Sequence, residues 1–361
     1  MRQIIDVDTH VAESPRMWER MDAALWPRRP VLVSVPDDTL YGRSNAFWLL
    51  DGEIFPRPAG KGSFNLITPS ANALNAERCT VSVGRRELTD LAGRLADMDR
   101  LGVRTQVVYP TLFLMYLTDD AKLEAALCQA YNRYLADVCA ASDGRLRWVV
   151  VPPLQSLDVA AAEVRWAKEH GAVGVFFRGM EGERTLDDPY FFSIYEEAQA
   201  LDLPICIHTG GGCPTITRLF DFGRNGSMPQ SRMLPLIAFR DLIANEIPAR
   251  FPRLRFGIIE AGAAWLPYVL HNLKRWFREE GGRSPGLFRD NRLFVACEAD
   301  EDIPYLIGYL GEDNIMIGSD YGHNDPSEEP QLVATMRARG DLSEAMLERI
   351  MCDNPARFYG L

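Results

Sequence analysis

Lysine is scarce in this sequence, and its few positions exclude two kinds of chemistry. The 361 residues include four lysines, at positions 61, 122, 168 and 274, and none of them ends an apolar run. This argues against a Schiff-base lysine at the end of a strand and against a metal pair bridged by a carbamylated lysine. The seven cysteines are odd in number and scattered, with no C-x-x-C pair, so we expect neither a disulfide framework nor a cysteine-based zinc site.

Several other signals are absent. No uninterrupted apolar run approaches the length of a membrane span, and the N-terminus has no signal-peptide pattern, so we expect a soluble, cytoplasmic protein without a membrane partner. A formal net charge of −11 argues against nucleic acid as a partner. No glycine-rich dinucleotide or P-loop motif follows an apolar run, which disfavours nucleotide-dependent chemistry.

Short apolar runs alternate with helical patterns from residue 86 onward. With the first strand, eight runs are recognisable, at residues 4–7, 105–109, 147–151, 173–177, 204–207, 254–259, 294–297 and 314–317. Continuous hydrophobic strands separated by helices indicate a parallel sheet that is covered on both faces. Eight units predict an α/β fold of the (β/α)8 TIM-barrel type, with a doubly wound open sheet as the alternative.

Residues 11–85 do not follow this alternation. The segment is rich in proline, glycine and aromatic residues, includes a hairpin-like run at 45–55, and is too long for a plain connection. We therefore predict a single domain over 1–361 in which 11–85 is an insertion that forms a lid over one end of the barrel.

The first strand carries polar groups in alternation. Asp6, Asp8 and His10 share one face of a strand with a side-chain period of two. Burying two carboxylates and an imidazole is unfavourable unless they are paired, and these groups suit Zn²⁺ or Mn²⁺. A solvated edge strand is the alternative interpretation.

Chemistry in a barrel occupies the C-terminal ends of the strands. In this sequence nearly every predicted strand ends in a group that can coordinate a metal, transfer a proton or bind an anion. These residues are Asp8, His10, Tyr109, Arg178, His208, Glu260, Glu298, Asp320 and His323. The pattern indicates an enzyme, and a non-catalytic barrel that keeps a metal for structural reasons is the weaker alternative.

Five segments resemble the amidohydrolase superfamily, in particular the branch that includes aminocarboxymuconate-semialdehyde decarboxylase and related aromatic-acid decarboxylases and hydrolases. The segments, which together extend over nearly the whole chain, are IDVDTH at 5–10, PICIHTG at 204–210, FPRLRF at 251–256, GSDYGH at 318–323 and NPARFYGL at 354–361. The resemblance implies one divalent metal ion held by Asp8, His10, His208 and Asp320. Relatives are often dimeric, so a homodimer is a further expectation.

Two positions depart from the common pattern of that family. Asp8 stands where most members have histidine, and a second carboxylate shifts the metal preference from Zn²⁺ toward Mn²⁺ without deciding between them. Glu260 stands where the decarboxylases generally have histidine. A glutamate can act as general acid or base if burial raises its pKa, but as an anion it would repel a substrate carboxylate. An ion pair between Glu260 and an arginine such as Arg178 is the structural alternative.

These departures favour a mononuclear metal-dependent hydrolase acting on a small aromatic or cyclic substrate. In that hypothesis Asp320 orients a metal-activated water, with Glu260 or His323 as proton-transfer groups. The alternative is a non-oxidative decarboxylase of an aromatic or muconate-type acid, in which a protein acid protonates the ring carbon. Both hypotheses assign Arg178 as the anchor of the substrate anion and Trp48 and Phe55 as contacts to the substrate ring.

Overall fold

The computed structural model describes residues 3–36, 38–39, 45–56, 69–70, 80–219, 232–277, 285–323 and 327–361. Its strands are β1 (Ile5–Val11), β2 (Val31–Ser34), β3 (Ala46–Leu50), β4 (Glu53–Phe55), β5 (Thr105–Pro110), β6 (Leu146–Val150), β7 (Ala172–Arg178), β8 (Met180–Glu181), β9 (Arg184–Thr185), β10 (Ile205–His208), β11 (Phe256–Ile259), β12 (Leu293–Cys297) and β13 (Ile315–Ile317).

Eight of these strands form one parallel sheet in the order β1-β5-β6-β7-β10-β11-β12-β13. The sheet closes on itself where the chain leaves β13. The Asp320 amide donates to the carbonyl of Asp8 (2.9 Å), and the His10 amide donates to the carbonyl of Tyr321 (2.8 Å). The predicted (β/α)8 barrel is confirmed, and its first, fifth, sixth and eighth strands are β1, β10, β11 and β13.

Helices cover the outside of the barrel because the strands are apolar on both faces; β5, β7 and β10 are buried throughout. The longer helices are Leu91–Leu101, Ala121–Ala140, Leu157–Glu169, Phe192–Ala200, Met233–Ala244, Leu266–Phe277 and Ile303–Leu310. The shorter ones are Pro15–Trp18, Val83–Arg86, Pro214–Leu219, Ile247–Arg250, Pro285–Asn291, Leu332–Ala338, Glu344–Glu348 and Asn354–Tyr359. None of the helices described is long and apolar enough to cross a bilayer.

Two helices end at irregular backbone. The helix Met233–Ala244 ends before Glu246, which adopts a left-handed conformation (φ 55°), and a short helix begins at Ile247. The helix Glu344–Glu348 passes into a π-helical segment at Arg349–Asp353 and continues as the helix Asn354–Tyr359. A proline at its second position is compatible with the first turn of that last helix.

The insertion contains a three-stranded antiparallel sheet in the order β2-β3-β4, one strand more than the expected hairpin. Residues 37, 40–44, 57–68 and 71–79 of the predicted lid lie outside the described residues. The described part contacts the loop that follows β5. The Glu13 carboxylate accepts hydrogen bonds from the amides of Thr111 (3.0 Å) and Leu112 (2.7 Å), and Arg28 pairs with Asp120 (2.7 Å).

Candidate metal centre

Six titratable side chains meet at the C-terminal end of the barrel. They fall into two overlapping groups with ligand atoms within 4.8 Å of one another: Asp8, His10, His208 and Glu260, and His10, Glu260, Asp320 and His323. None of the six residues is more than 7% exposed. Three carboxylates and three imidazoles so close together, without water, need a counter-charge to be stable.

The centre of the cluster is defined by two imidazole nitrogens. Asp8 Oδ1 lies 3.3 Å from His10 Nε2 and 3.2 Å from His208 Nε2. Glu260 Oε2 lies 3.5 Å and 3.2 Å from the same two nitrogens, and Asp320 Oδ1 lies 3.2 Å from His10 Nε2. Side chains from four barrel strands are thus brought together, including the four that the resemblance implied.

Backbone carbonyls fix the orientation of both imidazoles. His10 Nδ1 lies 2.9 Å from the carbonyl oxygen of Pro110, and His208 Nδ1 lies 2.9 Å from that of Thr209. A carbonyl only accepts, so each Nδ1 carries a proton and, in the neutral ring, each Nε2 turns a lone pair toward the carboxylates. His10 Nε2 is fully buried and lies 3.2–3.5 Å from the oxygens of three carboxylates. This donor set fits a divalent cation, the group that would make these contacts favourable.

The backbone at two of the carboxylates is unusual. Glu260 and Asp320 both adopt left-handed conformations, with φ of 55° and 53°. For a residue other than glycine this conformation costs on the order of 1–2 kcal/mol, and six other non-glycine residues in the described part of the chain also adopt it.

His323 lies behind this cluster rather than at its centre. Its ring stacks on that of His10 at 3.6 Å between centroids. Its Nδ1 lies 2.7 Å from Asp320 Oδ1, and its Nε2 lies 3.0 Å from the Thr111 hydroxyl. Burial, together with the neighbouring His10, holds the pKa of His323 well below its usual range. His323 can therefore orient Asp320 and exchange a proton with it.

The carboxylates also determine the charge on His10 when no ion is bound. Burial lowers the pKa of His10, but hydrogen bonds and charge from Asp8 and Glu260 outweigh burial and raise it to about 10. Burial likewise raises the pKa of Asp8, and His208 and His10 reverse this, so that the net shift is downward. A bound cation would take the place of the proton on His10.

Asp6 does not join the cluster, although the alternation of β1 placed it on the same face. The pairing of β1 with β5 shifts register between Asp6 and Thr9. The Asp6 carboxylate accepts hydrogen bonds from the amide (2.8 Å) and the hydroxyl (2.5 Å) of Ser319. Burial raises the pKa of Asp6 to about 7. Asp6 thus holds the segment that carries Asp320, a role that period-two alternation cannot reveal.

Arg178 is paired within the protein and also lines a pocket beside residues 113–118, so its role as the anchor of a substrate anion stays a prediction. Its Nε lies 3.0 Å from Glu181 Oε2, and its Nη1 donates to the carbonyl of Met115 (2.6 Å). The carbonyl belongs to a strap, residues 114–116, which joins the loop after β10. The Gly211 amide donates to Leu114 (2.7 Å) and the Tyr116 amide donates to Gly211 (3.2 Å). Arg178 therefore holds the strap in place through its hydrogen bond to Met115. Its ion pair is formed with Glu181 and not, as the sequence suggested, with Glu260.

The two aromatic residues predicted to contact a substrate lie in the insertion. Trp48 is 2% exposed and packs edge-on against Trp18, with ring centroids 6.3 Å apart. Phe55 is half-buried and pairs with Trp48 across the β3–β4 hairpin. Neither lines the pocket beneath the strap, whose aromatic walls are Phe113, Tyr116 and Phe176.

Phe176 brings that pocket next to the metal centre. Its ring centroid lies 6.1 Å from that of His208. The sequence carried a signal for Phe176, since it lies two residues before the strand-end Arg178 and thus on the same face of β7. No comparable signal marked Phe113 or Tyr116, which follow β5 in an irregular segment.

Comparison with known proteins identifies the family. The family model described as "Amidohydrolase" matches residues 5–361, nearly the entire chain. The chain belongs to the amidohydrolase family. The resemblance noted in the sequence is confirmed, and the protein is an enzyme of this metal-dependent family with a buried cluster able to bind one metal ion.

Its curated relatives are distant. A 2-amino-3-carboxymuconate-6-semialdehyde decarboxylase from Dictyostelium discoideum is 22% identical over 288 residues, which cover 74% of this chain and 76% of that protein. A gamma-resorcylate decarboxylase from Polaromonas sp. is 26% identical over 145 residues, which cover 38% of this chain. This alignment spans 44% of the Polaromonas protein, less than half of its length.

Solved structures share the fold along the full chain. An amidohydrolase from Mycobacterium avium subsp. paratuberculosis superposes with a TM-score of 0.76 at 18% identity, covering 99% of both chains. A dihydroxybenzoic acid decarboxylase from Polaromonas sp., solved with bound manganese and the inhibitor 2-nitroresorcinol, gives a TM-score of 0.67 at 17% identity. It covers 100% of this chain and 98% of that chain. At these identities the two structures establish a common fold.

Proposed function

We propose that this enzyme is a metal-dependent, non-oxidative decarboxylase of an aromatic or muconate-type acid. One observation carries the proposal: a buried cluster of carboxylates and imidazoles lies at the strand ends of a chain that aligns over 74% of its length with a decarboxylase. This assignment replaces hydrolysis, which the sequence alone favoured, as the leading function. Asp8, His10, His208 and Asp320 would hold the ion, of which Mn²⁺ and Zn²⁺ are the candidates.

The reaction requires a proton at the carbon that loses CO₂. The bond between ring carbon and carboxylate breaks, its electron pair stays on the ring, CO₂ leaves, and a proton from a protein acid takes its place. The bound ion would supply positive charge that holds an oxygen of the substrate. Asp320 is the proposed acid: the neutral His323, whose Nδ1 lies 2.7 Å from its carboxylate, would pass it a proton while the Thr111 hydroxyl, 3.0 Å from Nε2, supplies another.

We also propose positions for the substrate and its cover. The pocket beneath the strap, with Phe113, Tyr116 and Phe176 on its walls, would receive the apolar part of the substrate. Residues 11–85 would serve as the lid, since Glu13 and Arg28 attach the start of this segment to the loop after β5 at the metal end. Trp48 and Phe55 would stabilise that lid through packing.

A hydrolase is the second candidate, and Glu260 is the observation that favours it. A third carboxylate beside the two imidazole nitrogens repels an anionic substrate but not a neutral ester, lactone or amide. In a hydrolase the carboxylates would instead position and deprotonate the attacking water.

Labelled products distinguish the two reactions. Metal-loaded enzyme would be screened against hydroxybenzoates and muconate-type acids in D₂O, and against esters, lactones and amides in H₂¹⁸O. We expect release of CO₂ and incorporation of one deuterium at the vacated carbon. Asp8→Asn should lose at least about 100-fold in kcat/KM. Asp241→Asn, a buried carboxylate paired with Arg240 on an outer helix, is the matched control. An ¹⁸O-labelled acid without CO₂ would establish a hydrolase.

A further inference from the structure

Glu260 occupies a position equivalent to that of Asp8. Its Oε2 atom lies 3.2 Å from His208 Nε2 and 3.5 Å from His10 Nε2, and Asp8 Oδ1 lies 3.2 Å and 3.3 Å from these nitrogens. The two carboxylates thus flank the same pair of imidazoles. A group that approaches the ion only through a water molecule would lie farther from the ligand nitrogens than the ligand Asp8 does.

The tautomers of the two histidines decide whether their contacts with the carboxylates are attractive or repulsive. Both Nδ1 atoms donate a hydrogen bond to a backbone carbonyl, so in the neutral rings both Nε2 atoms carry a lone pair. These two lone pairs would face two carboxylates. Lone pairs and carboxylates repel one another, and a cation between them makes all four contacts attractive. Glu260 meets this condition in the same way as Asp8.

The backbone supports the same assignment. Glu260 comes directly after β11 and Asp320 three residues after β13; both adopt the left-handed conformation, as does Gly262 (φ 64°). The loop after β11 thus aims a carboxylate inward with the backbone conformation that the loop after β13 uses for Asp320.

We propose that Glu260 is itself a ligand of the divalent ion, together with Asp8, His10, His208 and Asp320. Three carboxylate charges and one +2 ion sum to −1, so the loaded centre keeps a net negative charge. Carboxylate oxygens suit Mn²⁺ better than imidazole nitrogens do, so a ligand set with three carboxylates shifts selectivity toward Mn²⁺ and away from Zn²⁺.

Metal titration without substrate tests this assignment. Chelator-treated protein would be titrated with MnCl₂ and, separately, with ZnCl₂, followed by calorimetry and by the electron paramagnetic resonance of free Mn²⁺. Glu260→Gln should weaken Mn²⁺ binding more than about 100-fold and Zn²⁺ binding less, because the loss of an outer hydrogen-bond partner alone costs about 10–100-fold. Glu298→Gln, at the end of the next strand and paired with Arg232, should stay within twofold of wild type.

Two further readouts guard against a folding artefact. Glu260→Gln removes one of three buried like charges, so the metal-free variant should melt no lower than wild type, while its stabilisation by Mn²⁺ should shrink. Glu260→Asp keeps the charge but shortens the reach, and it should also bind Mn²⁺ more weakly. A loss of Mn²⁺ affinity no greater than about 100-fold in Glu260→Gln would overturn the proposal, whether or not turnover is lost. Because no substrate is present, this result is independent of which reaction the enzyme catalyses.

Discussion

Arg178 shows at the residue scale what a strand-end position can and cannot reveal. The sequence placed a cation at the end of β7, which made it a candidate for binding a substrate anion. Its partner Glu181 lies three residues later in a two-residue strand, and its other partners are carbonyls of the strap. Neither feature leaves a periodic pattern, so the sequence could not show that the charge is already paired.

The Arg178→Met substitution tests this structural role. Breaking a buried ion pair leaves Glu181 uncompensated, and we expect a loss of about 3–5 kcal/mol in unfolding free energy, measured by urea denaturation. The double variant Arg178→Met/Glu181→Leu should recover part of this loss because no charge is left unpaired. A substrate anchor would behave differently: stability would be kept while KM rose.

Glu260 and Asp320 illustrate a second limit at this scale. The sequence identified both residues from their position after an apolar run. It could not distinguish a ligand from a proton-transfer group, because that distinction depends on a few ångströms and on the left-handed backbone at both residues. Asp8, His10 and His208 were easier to identify as neighbours from the sequence, because strand alternation and strand-end position are sufficient to bring them together.

At the scale of elements, barrel strands were predictable and the contacts between loops were not. Apolar runs bounded by helices mark strands such as β5 and β7 directly. The strap depends on the approach of Met115 to Gly211, nearly a hundred residues away in the sequence. The register shift in β1 likewise depends on its partner strand, and it decides that Asp6 binds Ser319 instead of the metal cluster.

Gly318, directly after β13, packs closely against Asp8 of β1. A Cβ atom added there would lie 2.3 Å from Asp8 Cβ, so the Gly318→Ala variant must displace either the proposed ligand Asp8 or the segment after β13. We expect a tenfold or greater loss of Mn²⁺ affinity together with a lower melting temperature. Gly340→Ala, where a Cβ atom would meet nothing within 4 Å, is the matched control. Unchanged metal affinity in Gly318→Ala would show that β1 and β13 can separate without affecting the site.

At the scale of the whole molecule, buried carboxyl groups set the dependence of stability on pH. Burial is the largest cause that raises the pKa values of Glu13 and Glu124 to about 7 from 4.5. A raised pKa in the folded protein favours the protonated group. The group therefore contributes its full stability below its pKa in the unfolded protein, and this contribution is lost as the pH rises through its pKa in the folded protein. Between these two pKa values, the titration of each group lowers the unfolding free energy by on the order of 3 kcal/mol.

We therefore expect the unfolding free energy to fall between about pH 4.5 and pH 8 wherever these two groups dominate the titration. Glu124→Gln should flatten this dependence and stabilise the protein at pH 8 relative to wild type, with little difference near pH 5. Glu344→Gln, an exposed residue in the first turn of its helix, serves as the control. Equal slopes for wild type and Glu124→Gln, from denaturation at several pH values, would show that Glu124 titrates normally.

The closure between β1 and β13 also determines the order in which the enzyme can be assembled. Two of the candidate ligands are synthesised within the first ten residues and another at position 320, and the Tyr359 hydroxyl donates to the carbonyl of Val7 (3.0 Å). Domains generally fold as units during synthesis, but here β1, which pairs with β5 on one side, gains its second neighbour only some 300 residues later. Ions offered to the nascent chain would therefore find an incomplete set of ligands. Metal capture belongs to the finished barrel, so the metal supply after translation, rather than during it, should determine how much active enzyme a cell contains.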